Sequence, residues 1–342
     1  MLAKRVLGCL IGLTMIVTAG CGSAASPAGS QTATGSTQPA KQLGKFKVGA
    51  SAINSSLLPI QLGADHGLYA KYGATVEFSA TGVGNTTIAA IQSGDIAAAY
   101  INPSNVAEAV AAGSDIRTVM SIGTHSSYLL VVTPDINKVE DLKGKAFAIA
   151  NPGGLASTVA EVFLAQYGLK NGTNISLINL GTEPTRIPAV QSGQVQGTII
   201  NPTFRDKIGS LKVLLDLRDI DLGFPGGALG MSGKFMKSQP AAAEALVAGT
   251  WDGIKLVLDP SQKDKVVQGM KKYLELNDTQ AGPAYDELQK DFQGALPPKL
   301  DPKGVTKSID FLAQSNPSVA KVTAQDVVDS TIVDKLLAQG FK

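Results

Sequence analysis

One stretch of this chain is written twice. AIQSGDIAAAYINPS at 90–104 and AVQSGQVQGTIINPT at 189–203 lie at a constant offset, so that Gln92-Ser93-Gly94 falls on Gln191-Ser192-Gly193 and Ile101-Asn102-Pro103-Ser104 falls on Ile200-Asn201-Pro202-Thr203. A matched pair of this kind indicates an internal repeat and constrains the fold to two similar units. In each copy an apolar helix end (Ile88, Ala89 and Ile91; Ile187 and Val190) runs into Ser-Gly, the pattern of a helix C-cap. An apolar run of strand length follows, and Asn-Pro stops it. A strand that ends in Asn-Pro-Ser or Asn-Pro-Thr puts an amide, a carbonyl and a hydroxyl at its carboxyl edge, where ligands bind to open α/β sheets. Asn-Pro also simply turns a chain, and for one copy alone the two readings stand level; two copies favour a pair of lobes facing one site.

The N-terminus carries a different signal. Lys4 and Arg5 precede an apolar segment over residues 6–17, short for a membrane span, and Thr18-Ala19-Gly20-Cys21 closes it. The order of charge, apolar run, small residues and Cys resembles the bacterial lipobox. That resemblance implies a signal peptide over 1–20, acylation of Cys21 and anchoring at the extracytoplasmic face of the cell membrane. Residues 21–43, rich in Ser, Ala, Gly, Thr and Pro, have the composition of a flexible tether. Cys9 and Cys21 are the two cysteines of the chain, so the mature domain is expected to hold no disulfide and no thiol ligand set. Without Lys4 and Arg5 the count of basic residues falls from 30 to 28, equal to the 28 acidic ones. A neutral mature chain gives no reason to expect a nucleic-acid partner.

About 300 residues remain from Gly44, room for two domains. Few aromatics beside many Ala and Gly suit helices packed closely on sheets. The first lobe opens with a strand over 45–50. Asn54, Ser55 and Ser56 then lead into Leu57, Leu58, Pro59 and Ile60, a helix start with Pro in its first turns. Such a junction offers N–H groups and hydroxyls to a ligand, and Ser also caps helices in the ordinary way. Gly84, Asn85 and Thr86 lead into the first repeat helix with backbone accessible to a ligand, although the spacing is no full phosphate motif. A strand near 117–122 and the stretch Thr124-His125-Ser126-Ser127 follow, with His125 placed to reach a cleft.

The second lobe begins after a strand over 128–133. A strand over 146–150 enters Asn151-Pro152-Gly153-Gly154-Leu155-Ala156-Ser157-Thr158, a glycine-rich junction whose helix N-terminus is the strongest single site for an anion or polar head; a purely structural turn is the alternative. Gly44-Lys45 and Gly144-Lys145 precede equivalent strands. Residues 224–231 read as the return strand to the first lobe. Helices are expected over 240–258, 263–275, 284–292, 304–313 and 324–337, with Met236, Ala243, Leu246, Val247 and Ile254 as core and Trp251 as packing. Arg205 either reaches the cleft or is solvated.

The order of these signals resembles the solute-binding lipoproteins of ABC importers, nearest the nitrate/sulfonate/taurine type, whose domain is shared with thiamine-pyrimidine synthesis proteins (the SsuA/THI5-like, NMT1-like group). The residues that carry it are Ala64, Gly67-Leu68-Tyr69 and Tyr72-Gly73, Ile91 to Ala97, Asp141 to Lys145, and Val190 to Val195. The resemblance spans residues 45–260. It implies an α/β chain of the type II periplasmic-binding-protein fold, with two lobes joined by a two-crossing hinge: 44–127 with 225–342, and 128–224. It points to ligand contacts at Ser55, Ser56, Gly84, Asn85, Thr86, Asn102, Ser104, Gly153, Gly154, Ser157, Thr158, Asn201 and Thr203, to which the reading of the residues themselves adds Asn54 and His125. The partners it implies are a small polar or anionic molecule, or a heterocyclic precursor, and ABC permease subunits; a monomer with no cofactor and no metal is expected.

Catalysis needs a nucleophile, base or metal held near a partner. His66 and His125 are the two histidines, and His66 falls at a helix end where the dipole favours it. No HExxH, Walker A or GxSxG pattern occurs. The pyrimidine-synthesising branch carries a cysteine-rich motif that this chain lacks. A binding protein is therefore expected; a lipid-anchored enzyme of that branch and a ligand sensor for a signalling partner are the rival readings.

Overall fold

The computed structural model describes residues 42–50, 54–81, 84–123, 127–152, 155–220, 222, 226–314 and 316–342. The described residues belong to one compact unit. Its strands are β1 (Gly44–Ala50), β2 (Ala74–Ala80), β3 (Ala98–Ile101), β4 (Ile116–Ile122), β5 (Leu129–Val132), β6 (Ala146–Ile149), β7 (Ser176–Asn179), β8 (Gly197–Ile200), β9 (Lys212–Asp216) and β10 (Gly227–Ser232). Its helices are α1 (Leu58–Asp65), α2 (Gly84–Ser93), α3 (Pro103–Ala111), α4 (Leu155–Gln166), α5 (Glu183–Gln191), α6 (Gly233–Ser238), α7 (Pro240–Leu258), α8 (Lys263–Leu274), α9 (Asp278–Phe292), α10 (Pro302–Ala313), α11 (Ala324–Val327) and α12 (Thr331–Ala338).

The repeat becomes a pair of sheets with one blueprint. The first has the order β2-β1-β3-β10-β4 and the second β7-β6-β8-β5-β9. In each, the first three strands run parallel and the last two pairings are antiparallel. The repeated segment supplies α2-β3 in one and α5-β8 in the other. The chain crosses between the sheets twice, from β4 to β5 and from β9 to β10. Neighbouring residues of each strand face opposite layers, as the two-residue period requires: Ala98 and Tyr100 pack toward α1, α7, α8 and α9, whereas Ala99 and Ile101 pack toward α2, α3 and α10. The second sheet divides likewise between α4 on one face and α5 on the other.

Small residues let the helices approach. A Cβ on Gly253 of α7 would stand 2.0 Å from the carbonyl oxygen of Pro59 in α1, and one on Gly249 would stand 2.1 Å from the Tyr69 ring. The Tyr69 hydroxyl pairs with Thr250 at 2.9 Å. Trp251 is fully buried against Phe341, so it packs as expected.

Two helices differ from the sequence expectation by more than two residues. α9 starts at Asp278 rather than 284, because Asn277 caps it reciprocally with Gln280, and Pro283 is tolerated inside the helix. The helix expected over 324–337 is broken at 328–330. There the Thr118 hydroxyl donates to the Val327 carbonyl at 2.9 Å and the Asp329 N–H donates to the Thr118 carbonyl at 2.9 Å, drawing the chain out along β4.

Candidate functional site

The carboxyl ends of the parallel strands carry the polar junctions. Beyond β3, Asn102 is extended (φ −79°, ψ 131°), and its Oδ1 accepts from the Ser104 N–H at 3.1 Å. Beyond β8, Asn201 repeats this (φ −65°, ψ 137°) and accepts from the Thr203 N–H at 3.0 Å. Each Asn is thus an N-cap and each Pro takes the first helical position, so turn formation and display of polar atoms coexist.

The two elbows differ in what is left over. Asn201 Oδ1 also accepts from the Thr203 hydroxyl at 2.7 Å and from the Ser55 hydroxyl at 3.1 Å. Ser55 follows β1, so this bond joins a first-sheet junction to a second-sheet one across 146 residues of chain. At the first elbow, Asn102 Nδ2 and Ser104 Oγ are buried with no hydrogen-bond partner, and their residues are 5% and 2% exposed. A buried donor without an acceptor costs on the order of 1–3 kcal/mol; Gln61 and Trp251 carry such atoms in the core as well, but those of the first elbow lie at the carboxyl edge of the sheet.

The other expected contacts are distributed unevenly. Asn54 caps the turn Ser55–Leu57 by accepting from the Ser56 N–H at 3.0 Å. Gly84 opens α2 so close to α3 that a Cβ there would lie 3.3 Å from the Asn105 amide. Asn85 and Thr86 point outward and are exposed, while the next residue, Thr87, is buried and its hydroxyl meets that of Thr81 at 2.7 Å. Ser157, buried, donates to the Asn151 carbonyl, and Thr158 is buried beside it. His125, Gly153, Gly154 and Cys21 lie outside the described residues. His66 caps the end of α1 in an exposed position, and Arg205 is exposed.

Several residues here were not found by sequence reasoning. Tyr100 and Tyr128 are buried phenols within electrostatic range of one another. Burial raises both, Tyr128 well above the usual phenol range, against the lowering effect of Ser56 and the Gly227 backbone on Tyr100 and of Arg186 on Tyr128, so both are neutral at physiological pH. Tyr100 stands two residues before Asn102 in the repeated strand, on the opposite face from Ile101, and that parity was the available signal. Arg186, 1% exposed, donates through Nε to Thr198 Oγ1 at 3.1 Å, through Nη2 to the Ile199 carbonyl at 3.0 Å and through Nη1 to the Gly181 carbonyl, with Glu183 at 3.2 Å.

Arg218 lies between the sheets. It reaches Asp216 at 2.9 Å, Glu287 at 2.7 Å and Asp291 at 3.0 Å, and Asp291 also accepts from the Ser127 hydroxyl. Burial raises the Asp291 carboxyl to about 6, outweighing the opposing pull of Ser127 and Arg218, while Glu287 adds to the rise. Between its unfolded value near 4 and about 6 the folded chain therefore holds a proton that the unfolded chain has released, and this group's contribution to stability falls as pH rises through that window. Asp291→Asn is expected to gain on the wild type in urea midpoint between about pH 4.5 and pH 7. An equal difference at both pH values would contradict a raised carboxyl.

Paired sheets of one blueprint, two crossings, and polar strand ends in contact across the join define a two-lobed protein of the periplasmic-binding-protein fold. The chain belongs to the NMT1-like family, whose pattern matches residues 44–271. The structure is similar to that of the periplasmic sulfonate-binding protein SsuA from Methylobacillus flagellatus KT (TM-score 0.69, 18% identity, 88% of this chain and 96% of that one). It is also similar to the periplasmic aliphatic sulphonate binding protein SsuA of Escherichia coli (TM-score 0.66, 20% identity, 83% and 92%). The periplasmic nitrate-binding protein NrtA of Synechocystis PCC 6803 is a third (TM-score 0.67, 15% identity, 89% and 90%). No curated protein sequence matches the chain. Among the described residues no helix is long and apolar enough to cross a membrane.

Proposed function

We propose that this chain is the extracytoplasmic solute-binding component of an ABC importer, capturing a small polar or anionic molecule between its lobes and delivering it to membrane permease subunits. In this reading residues 1–20 are removed, Cys21 is acylated, residues 21–43 are the leash, and the protein binds as a monomer without transforming its cargo. Lobes 44–127 with 225–342, and 128–224, close about the two crossings. The observation that carries the reading is the unsatisfied pair Asn102 Nδ2 and Ser104 Oγ, buried at the strand edge where ligands bind in this architecture. A cargo with a hydrogen-bond acceptor relieves that strain. Family membership and the likeness to sulfonate- and nitrate-binding proteins support a small polar cargo.

A thermal-shift screen of taurine and other sulfonates, nitrate, amino acids, pyrimidines and riboflavin-like compounds tests this. A ligand at 100 times its Kd adds about 2.7 kcal/mol to stability, a readily measured rise in Tm. If no compound moves the Tm of folded, ligand-free protein, capture fails as an account. For the compound that binds, Asn102→Ala is expected to cost about tenfold to a hundredfold in affinity, following the 1–3 kcal/mol of a buried hydrogen bond. Loss of the cap lowers apo stability by only about 1 kcal/mol. Normal binding by both Asn102→Ala and Asn201→Ala would reduce the elbows to turns.

A further inference from the structure

The helix α9 has two sides with different allegiances. Ala281, Ala284, Tyr285, Leu288 and Phe292 are buried in the core of the first sheet. Glu287 and Asp291, one turn apart on the adjoining edge, face away from that core toward the crossings. Arg218, which follows β9 on the second crossing, places Nη2 on Glu287 at 2.7 Å and Nη1 on Asp291 at 3.0 Å while its Nε holds Asp216 of β9 at 2.9 Å. Ser127, on the first crossing, donates to the same Asp291 oxygen. One carboxylate therefore ties both crossings to one helix. Farther along, the same helix packs against residues 202–207, the turn that follows the second Asn-Pro elbow.

These contacts differ from the ion pairs on the outer surface. The side chains of Arg218, Glu287 and Asp291 are 12%, 12% and 6% exposed, so salt screens them little, and exposed pairs such as Lys45 with Glu77 contribute little to any equilibrium. The guanidinium spans three carboxylates with its forked donors, a geometry a point charge cannot reproduce. Rotating the lobes apart about the crossings moves Asp216 and Arg218 relative to α9, so the bonds to Glu287 and Asp291 must break as the cleft opens.

We infer that α9 is a clasp for the closed arrangement, with Arg218 as its pin and Glu287 and Asp291 as its seat, and that this clasp sets the balance between closed and open lobes before any cargo arrives. Because cargo touching both lobes binds only the closed form, the closed fraction scales its apparent affinity directly. Arg218 and Asp291 are thus positioning residues, acting on cargo through the lobes. The inference rests on the two-lobe reading above but requires no particular cargo.

The test uses the full chain without ligand. Spin labels on ketone-bearing side chains at positions 93 and 192, the exposed and repeat-related Ser93 and Ser192 at the far ends of α2 and α5, leave both cysteines untouched. Double electron–electron resonance then reads the distance between the lobes. The informative variant combines Arg218→Met, Glu287→Gln and Asp291→Asn, which removes the pin together with the charge of both α9 carboxylates and leaves only the more exposed Asp216, 24% exposed, without its partner. The expected result is a longer mean distance and a broader distribution than in the wild type. An unchanged distribution in this folded variant overturns the clasp, whatever Arg218→Met does alone, since the single change also creates repulsion. Should the triple variant fail to fold, Arg218→Lys decides by the same readout, because its single ammonium cannot span Asp216, Glu287 and Asp291 together. A negative result leaves the capture reading standing, since the readout contains no cargo.

Discussion

Arg186→Met is expected to lower the stability of the folded chain by about 3–5 kcal/mol, the cost of removing one member of a buried charged network. The side chain is 1% exposed, and all three of its nitrogens are committed: Nε to Thr198, Nη1 to the Gly181 carbonyl and Nη2 to the Ile199 carbonyl, with Glu183 alongside. Methionine fills much of the volume but leaves two carbonyls, a hydroxyl and a partly buried carboxylate without their donor. Arg186→Lys should recover little, since one ammonium cannot reproduce the planar fork. Urea midpoints for the two variants, with the slope of unfolding checked for constancy, provide the measurement. A loss below about 1 kcal/mol in the methionine variant would show that water replaces the guanidinium, and the buried network would then be worth no more than an exposed pair. At the repeat-related position of the first lobe stands Thr87, whose hydroxyl meets that of Thr81 at 2.7 Å. The same helix position thus carries a threonine hydroxyl in one lobe and a guanidinium in the other.

The second large effect is steric. Gly253→Ala places a methyl 2.0 Å from the Pro59 carbonyl oxygen and 2.8 Å from its carbon, a backbone-on-backbone contact that no rotamer can relieve. α7 must lift from α1, and the buried Leu58, Ile60 and Leu246 between these helices and the first sheet lose packing together. Overpacking of this kind costs about 3 kcal/mol, at or above the upper part of its usual range, or roughly 5 °C in Tm for a domain of this length. Gly282→Ala, in a helix position with nothing within 4 Å, is the control and should be neutral or slightly stabilising. If both variants melt together, the α1–α7 seam is more yielding than its geometry implies.

What the residues disclosed in advance was the short-range part of this architecture. The Asn102 and Asn201 elbows, the strands that precede them and the helix starts that follow are each written within about a dozen consecutive residues, and the repeat doubled the signal. The partners that make the site belong to the other class. Nothing near Ser55 announces that its hydroxyl meets Asn201, 146 positions away, and nothing near Arg218 announces α9. Arg186 was hidden for a further reason: a lone arginine in a short helix is most often a solvated side chain, and its burial follows from its bonds to β8. The break at 328–330 was equally out of reach, because Thr118 imposes it from another element. The abundant Ala and Gly suited helices packed closely on sheets, but did not announce the helix-on-helix contact of α1 with α7 or the glycine that bears it.

The strand orders carry a consequence for how the chain is made. All five strands of the second sheet lie between residues 129 and 216, so that sheet is complete in one uninterrupted stretch of synthesis. The first sheet is not: β10, residues 227–232, is inserted between β3 and β4, which emerge more than a hundred residues earlier. Until it arrives, β3 and β4 have no strand between them to complete their hydrogen bonding, and the later helices α7, α8 and α9 are not yet there to cover that face. The lobe that comes first in the folded part of the chain is therefore the last to close, and for the whole time the second lobe is being made its unpaired edges stand open to other chains.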